Sequence, residues 1–194
     1  MIRIFLGFVF TIGFSLSVMA AEIGDDGLHK QDWFAVTFKD LSEDMETAKD
    51  EGKRLVLMFE QRGCIYCKMV HEEVLTDSEV TDFIKEHYIV VQYNLHGDEE
   101  VIDTDGEELT EKSAARKWGV LFTPSILFLP EEMDEEKSVS EQVVAVMPGA
   151  FRKGTFLDMF RWVQQKGYAG EETFQQFHGR SIRERQAAGA ENTD

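Results

Sequence analysis

Cys64 and Cys67 are the only cysteines in a chain of 194 residues, and they sit where one apolar pattern gives way to another. Ahead of them, Leu55-Val56-Leu57-Met58-Phe59 is an unbroken apolar run of strand length, as expected for a strand covered on both faces. Behind them, Cys67, Met69, Val70 and Val74 recur at helical spacing. A buried strand that turns through Arg62-Gly63 into a CxxC opening a helix restricts the possible folds more than any other feature. Two cysteines also exclude a disulfide-stapled miniature fold and a four-cysteine zinc site.

The flanking segments extend the pattern. Leu41, Met45 and Ala48 read as a helix that stops at Gly52. Asp77-Ser78 opens another, with Val80, Phe83 and Ile84 inward, and Ile89 to Tyr93 reads as a second buried strand. Leu95 to Leu109 is acidic and glycine-containing and reads as a surface insertion. Its acids do not fit a calcium loop, because Val101 and Lys112 stand where ligands are needed. Thr110 to Ser113 starts a helix carrying Ala114, Ala115 and Trp118. Thr123-Pro124 leads into a third strand, Ser125 to Leu129. After a charged loop from Pro130 to Ser140, Gln142 to Met147 reads as a fourth strand, and Phe156, Phe160 and Val163 mark the inner stripe of a last helix. A β-α-β start, an antiparallel strand pair and a covering helix predict an α/β fold with a central mixed sheet flanked by helices.

The ends predict where the protein works. Arg3 precedes an apolar run from Ile4 to about Val18, and Val18-Met19-Ala20 suits a signal peptidase. Residues 1–20 therefore read as a secretory signal peptide; the run is short of the roughly 20 residues of a membrane span. Cleavage near Ala20 leaves no further span and predicts an exported, periplasmic protein. The domain is expected over 28–178, and 179–194 reads as a frayed helix or flexible tail. With 37 acids against 20 bases the net charge is −17, which argues against nucleic acid and anionic lipid as partners.

A CxxC pair at a helix start has a specific chemistry. Unpaired backbone N–H groups and the helix dipole favour a thiolate at the first cysteine, lowering its pKa from about 8.5 toward roughly 3.5–7.5. Cys64 would attack a substrate disulfide and Cys67 would resolve the mixed disulfide. Arg62 and Lys68 flank the pair as candidate thiolate-stabilising charges. Three other readings exist. A c-type haem needs histidine where Lys68 stands. A zinc site on Cys64, Cys67 and His71 lacks an evident fourth ligand. A purely structural disulfide closes a ring too small to stabilise much. His71 reads as a surface or flanking residue rather than a base.

Several motifs together resemble a known family. Gly63-Cys64-Ile65-Tyr66-Cys67-Lys68 is followed by His71-Glu72-Glu73-Val74-Leu75, and Gly97-Asp98 lies in the insertion. Leu109-Thr110-Glu111-Lys112, Ala115-Arg116-Lys117-Trp118-Gly119-Val120, Thr123-Pro124, and the late Gly167-Tyr168 and Phe174-Gln175 complete the set. Across residues 33–177 the sequence resembles the thioredoxin superfamily, and within it the exported SoxW-type proteins found beside bacterial sulfur-oxidation genes. The resemblance implies a thioredoxin-like fold with an acidic insertion after the second core strand. It also implies a cis Thr123-Pro124 peptide beside the CxxC, with both residues meeting the substrate strand; an ordinary trans peptide is the alternative. It implies no cofactor beyond the redox-active disulfide Cys64-Cys67, and no metal.

The sequence departs from thioredoxin in three places. The buried aspartate expected before the active site falls on Met58, the tryptophan before the first cysteine is Gly63, and the pair between the cysteines is Ile65-Tyr66. Glu60 is the nearest carboxylate in the strand. It is either a substitute proton acceptor for Cys67 or a solvated strand-end charge.

The expected function is an exported thiol–disulfide oxidoreductase that reduces protein disulfides. By resemblance, its partners are sulfur-carrier or cytochrome-maturation proteins, and its electron donor is a membrane protein of the CcdA or DsbD type. A periplasmic disulfide oxidase or isomerase, and a non-catalytic metal-carrier module on the same fold, are the alternatives.

Overall fold

The computed structural model describes residues 22–134 and 136–191. The expected signal peptide lies outside the described residues. Among these, no helix is long and apolar enough to cross a membrane.

In chain order the elements are β1 (Glu22–Ile23), β2 (His29–Lys30), α1 (Leu41–Asp50), β3 (Arg54–Glu60), α2 (Ile65–Met69) running into a π-helical turn (Val70–Val74), α3 (Ser78–His87) and β4 (Tyr88–Asn94). There follow β5 (Glu100–Ile102), β6 (Glu108–Thr110), α4 (Glu111–Lys117), β7 (Ser125–Phe128), α5 (Val139–Gln142), β8 (Ala145–Pro148), α6 (Lys153–Gln164), a 3-10 turn (Gly167–Ala169) and α7 (Phe174–Glu191).

The central sheet has the order β4-β3-β7-β8. β3 and β4 are parallel from Arg54 opposite Tyr88 to Glu60 opposite Asn94, whereas β7 and β8 are antiparallel to their neighbours. Every residue of β3 is buried because both sheet faces are covered. Its alternation splits the core in two. Leu55, Leu57 and Phe59 pack with Leu41, Ala48, Ala115 and Trp118 from α1 and the α4 end. Val56 and Met58 pack with Val70, Val80, Ile84, Phe156 and Phe160 from the CxxC helix, α3 and α6. The helix borders follow local chemistry: Asp40 and Asp77 accept backbone N–H bonds at the starts of α1 and α3, and Thr110 and Ser113 form a capping box on α4. Gly52 ends α1 with φ of 67°.

Three segments differ from the sequence reading. The acidic stretch is a folded hairpin of β5 and β6 rather than a surface loop. Val101 joins the core, and buried Asp103 accepts a hydrogen bond from Trp118 Nε1 at 3.1 Å and pairs with Lys117 at 2.7 Å. The fourth core strand starts at Ala145, because Ser138 and Glu141 cap a helical turn over Val139–Gln142 and Val139 is buried there. Past Gly179 the chain continues as α7. Arg185 reaches the buried Asp158 of α6 with two bonds of 2.8 and 2.9 Å, and His178 meets it at 2.6 Å.

Candidate active site

The turn after β3 brings the two cysteines to the sheet end. Gly63 adopts φ of 72°, a left-handed conformation that other residues enter only with strain. Cys64 is then the N-cap of α2 with φ −73° and ψ 103°, and its Sγ accepts the Cys67 N–H at 3.0 Å. The two sulfurs form a disulfide, with Cα atoms 5.2 Å apart. Cys64 is 8% exposed and Cys67 1%. Of the two cysteines, Cys64 is the more exposed.

Thr123 and Pro124 meet this pair as the family resemblance implied. Their peptide bond is cis, and the Thr123 hydroxyl donates to Cys64 Sγ at 3.4 Å. Pro124 leads directly into β7, and its carbonyl accepts the Gly149 N–H at 2.7 Å. Cys64 and Thr123 open into a cleft of about 390 Å³ whose walls include Ile65, Tyr66, Leu95, His96, Leu121 and Phe122. Leu121 is 81% and Ile65 72% exposed. Among the described residues no carboxylate lines this cleft, in a chain of charge −17. Exposed Ile65, Leu121 and Phe122 give the cleft an apolar side next to Cys64.

Arg62 and Lys68 have other partners. Arg62 reaches back to the Asp25 carbonyl at 3.4 Å, and Lys68 faces Glu72 at 3.7 Å. The donors aimed at Cys64 are instead the Cys67 N–H and the Thr123 hydroxyl.

Glu60 and His71 differ most from the sequence reading. Both are 0% exposed. His71 Nε2 lies 2.9 and 3.1 Å from the two carboxylate oxygens of Glu60, and Gln92 Nε2 donates to the same carboxylate. His71 is thus a core residue rather than a surface or flanking one. Glu60 is not a solvated strand-end charge, because it continues the inward face of Val56 and Met58. One signal could have found His71: the stripe Cys67, Val70, His71 and Val74 has helical spacing and is buried throughout. Nearby, burial and the adjacent His71 imidazole push His29 below its ordinary pKa. Among the described residues, no group of three or more histidine, cysteine, aspartate or glutamate side chains is placed to hold a metal ion.

The sequence model of the thioredoxin-like domain matches residues 41–164, which hold every element from α1 through α6 and both cysteines. The chain belongs to the thioredoxin-like domain family. Among solved structures it is similar to a thioredoxin-fold protein from Helicobacter pylori, at 20% identity and a TM-score of 0.52, over 71% of this chain and 86% of that one. It is also similar to a thioredoxin from Thermus thermophilus, at 22% identity and a TM-score of 0.51, over 66% and 86%. At these identities the likeness concerns the fold. No curated protein sequence matches the chain. A thioredoxin-like domain that holds a CxxC disulfide at a helix start is a thiol–disulfide oxidoreductase.

Proposed function

We propose that the protein is an exported reductant of protein disulfides. Cys64 is the nucleophile, Cys67 the resolving thiol, Thr123 and Pro124 the substrate-binding edge, and Glu60 the acceptor of the Cys67 proton. The observation that carries this reading is the unequal exposure of the two cysteines, with Cys64 lining a cleft. Reduced Cys64 attacks one sulfur of a substrate disulfide and expels the other as a thiolate. Cys67 then attacks Cys64 Sγ and expels the remaining substrate thiolate, so two electrons pass to the substrate and the CxxC pair becomes a disulfide.

Export rests on the character of residues 1–20. The motif set shared with SoxW-type proteins supports sulfur-carrier or cytochrome-maturation proteins as substrates and a CcdA- or DsbD-type membrane donor. Insulin reduction under dithiothreitol tests the chemistry: wild type should accelerate it, and Cys64→Ser should match the uncatalysed rate. Equal activity in both refutes the assignment. A reduction potential near the −270 mV of thioredoxin supports the reductant direction, and one near the −120 mV of DsbA assigns an oxidase instead. Stoichiometric metal in purified protein without disulfide turnover would assign the carrier reading.

A further inference from the structure

The CxxC helix spends a core position on a histidine. Its other inward residues are Cys67, Val70, Val74 and Leu75, and His71 follows Cys67 by one helical turn. The π-helical turn begins here, with Leu75 N–H bonded five residues back to the Val70 carbonyl at 2.9 Å. Such turns are uncommon and recur at functional sites. Glu60 is the last residue of β3, just before the active-site turn. The Glu60–His71 contact therefore joins the strand entering the site to the helix leaving it.

The hydrogen bonds around the pair place its protons. Gln92 Oε1 accepts from Lys30 Nζ at 2.8 Å, and Gln92 Nε2 donates to the His29 carbonyl at 2.7 Å and to Glu60. Gln31 Nε2 lies 3.1 Å from His71 Nδ1. An amide nitrogen only donates, so Nδ1 accepts and the ring hydrogen sits on Nε2, facing the carboxylate. Glu60 is thus held by His71 and Gln92 together. The charged groups around it are otherwise engaged. Lys30 is turned to Gln92 and to Asp26 at 2.6 Å, while Lys68 and Glu72 face each other on the helix. The His29 ring lies 5.5 Å and the Phe34 ring 5.7 Å from the His71 ring. The two donors fix the Glu60 carboxylate in one orientation between the strand entering the site and the CxxC helix.

We propose that His71 is the positioning residue of the resolving step: it holds Glu60 ready to accept the Cys67 proton. In that step the Cys67 S–H gives its proton to the Glu60 carboxylate. The Cys67 sulfur electron pair forms the bond to Cys64 Sγ, and the bond from Cys64 to the substrate sulfur breaks with its electrons leaving on the substrate. This inference rests on the oxidoreductase reading.

Stopped-flow reaction of the reduced protein with dithiobis(nitrobenzoate), from pH 5.5 to 9.5, separates the two. The first thionitrobenzoate reports attack by Cys64, and the second reports resolution by Cys67. In His71→Gln the second phase should fall at least tenfold at pH 7 and recover toward pH 9.5, while the first stays within twofold. Adding Glu60→Gln should slow it no further, because both changes remove one function. A wild-type second phase in His71→Gln overturns the proposal, as does an equal loss in both phases at every pH, which is what a merely structural role gives. Gln31→Glu, at a half-buried site, keeps the test open if His71→Gln does not fold. A carboxylate facing Nδ1 competes for the imidazole hydrogen and draws it away from Glu60, so the second phase should slow at least threefold; no change overturns the proposal. A wild type that never releases the second thionitrobenzoate overturns the oxidoreductase reading itself.

Discussion

Replacing Asp44 with asparagine should stabilise the protein, and more so at pH 8 than at pH 4. Asp44 lies on the inner side of α1 and is 5% exposed. Burial pushes its carboxyl up to about 6 from an ordinary 3.8. The Thr37 hydroxyl, donating at 3.1 Å, pulls the other way, and the neighbouring Asp40 and Glu43 charges add to the rise. A folded-state value above the unfolded one means that the contribution to stability is complete below about pH 4 and is lost as pH rises through about 6. Two units at about 1.4 kcal/mol each set an upper bound of about 3 kcal/mol for the burden of the ionised group at pH 8. Relaxation and screening around the ionised group bring the expected effect to about 1–2 kcal/mol. Asparagine keeps an oxygen for Thr37 and cannot ionise. Urea unfolding of both proteins at the two pH values is the assay. A gain of about 1–2 kcal/mol at pH 8 that shrinks toward zero at pH 4 is expected. Equal differences at both pH values, or a loss at pH 8, would refute the reasoning.

Two further perturbations follow from the geometry. Thr123→Val removes the hydroxyl donor 3.4 Å from Cys64 Sγ; at about 1 kcal/mol, alkylation of reduced Cys64 by iodoacetamide at pH 7 should slow about fivefold, and an unchanged rate would exclude a role for the hydroxyl. Asp158 is buried, and the opposing bonds from Arg185 and His178 outweigh that burial and hold its carboxyl below the usual range, so its link to α7 persists at neutral pH and is lost as pH falls through the acidic range. Asp158→Asn should weaken the docking of α7 by about 1–2 kcal/mol, discounted because the Arg185 side chain is 43% exposed, and should speed tryptic cleavage in 180–185 about tenfold at pH 8; cleavage at the wild-type rate would contradict this.

Features set by neighbouring residues were legible in the sequence. The apolar run of β3, the Asp77 cap, the Gly52 stop and the CxxC at a helix start each depend on contacts within a few positions. Thr123-Pro124 was legible only through its resemblance to a family, since nothing local says that residue 123 meets residue 64. The misreadings share one cause. Asp103 is an acid in an acid-rich stretch, and its partners, Lys117 and the buried Trp118, lie beyond the hairpin. Arg185 belonged to a polar-looking tail until Asp158 supplied the matching buried charge. His71 looked like one more polar residue of a charged helix, because Glu60, eleven positions earlier and across the sheet–helix boundary, carries the reason for its burial. A polar residue's long-range partner is not written into its local sequence, so composition alone assigns it to the surface.

The central claim is that Cys64 attacks and Cys67 resolves. Its most direct test is covalent trapping. Wild type, Cys64→Ser and Cys67→Ser are each reduced, mixed with a disulfide-containing protein substrate, quenched with acid and run on non-reducing gels. The account predicts a mixed disulfide that accumulates in Cys67→Ser, is linked through Cys64 by peptide mapping, and is lacking in Cys64→Ser. Adducts formed through Cys67 in Cys64→Ser, at a yield matching that of Cys67→Ser, would contradict it.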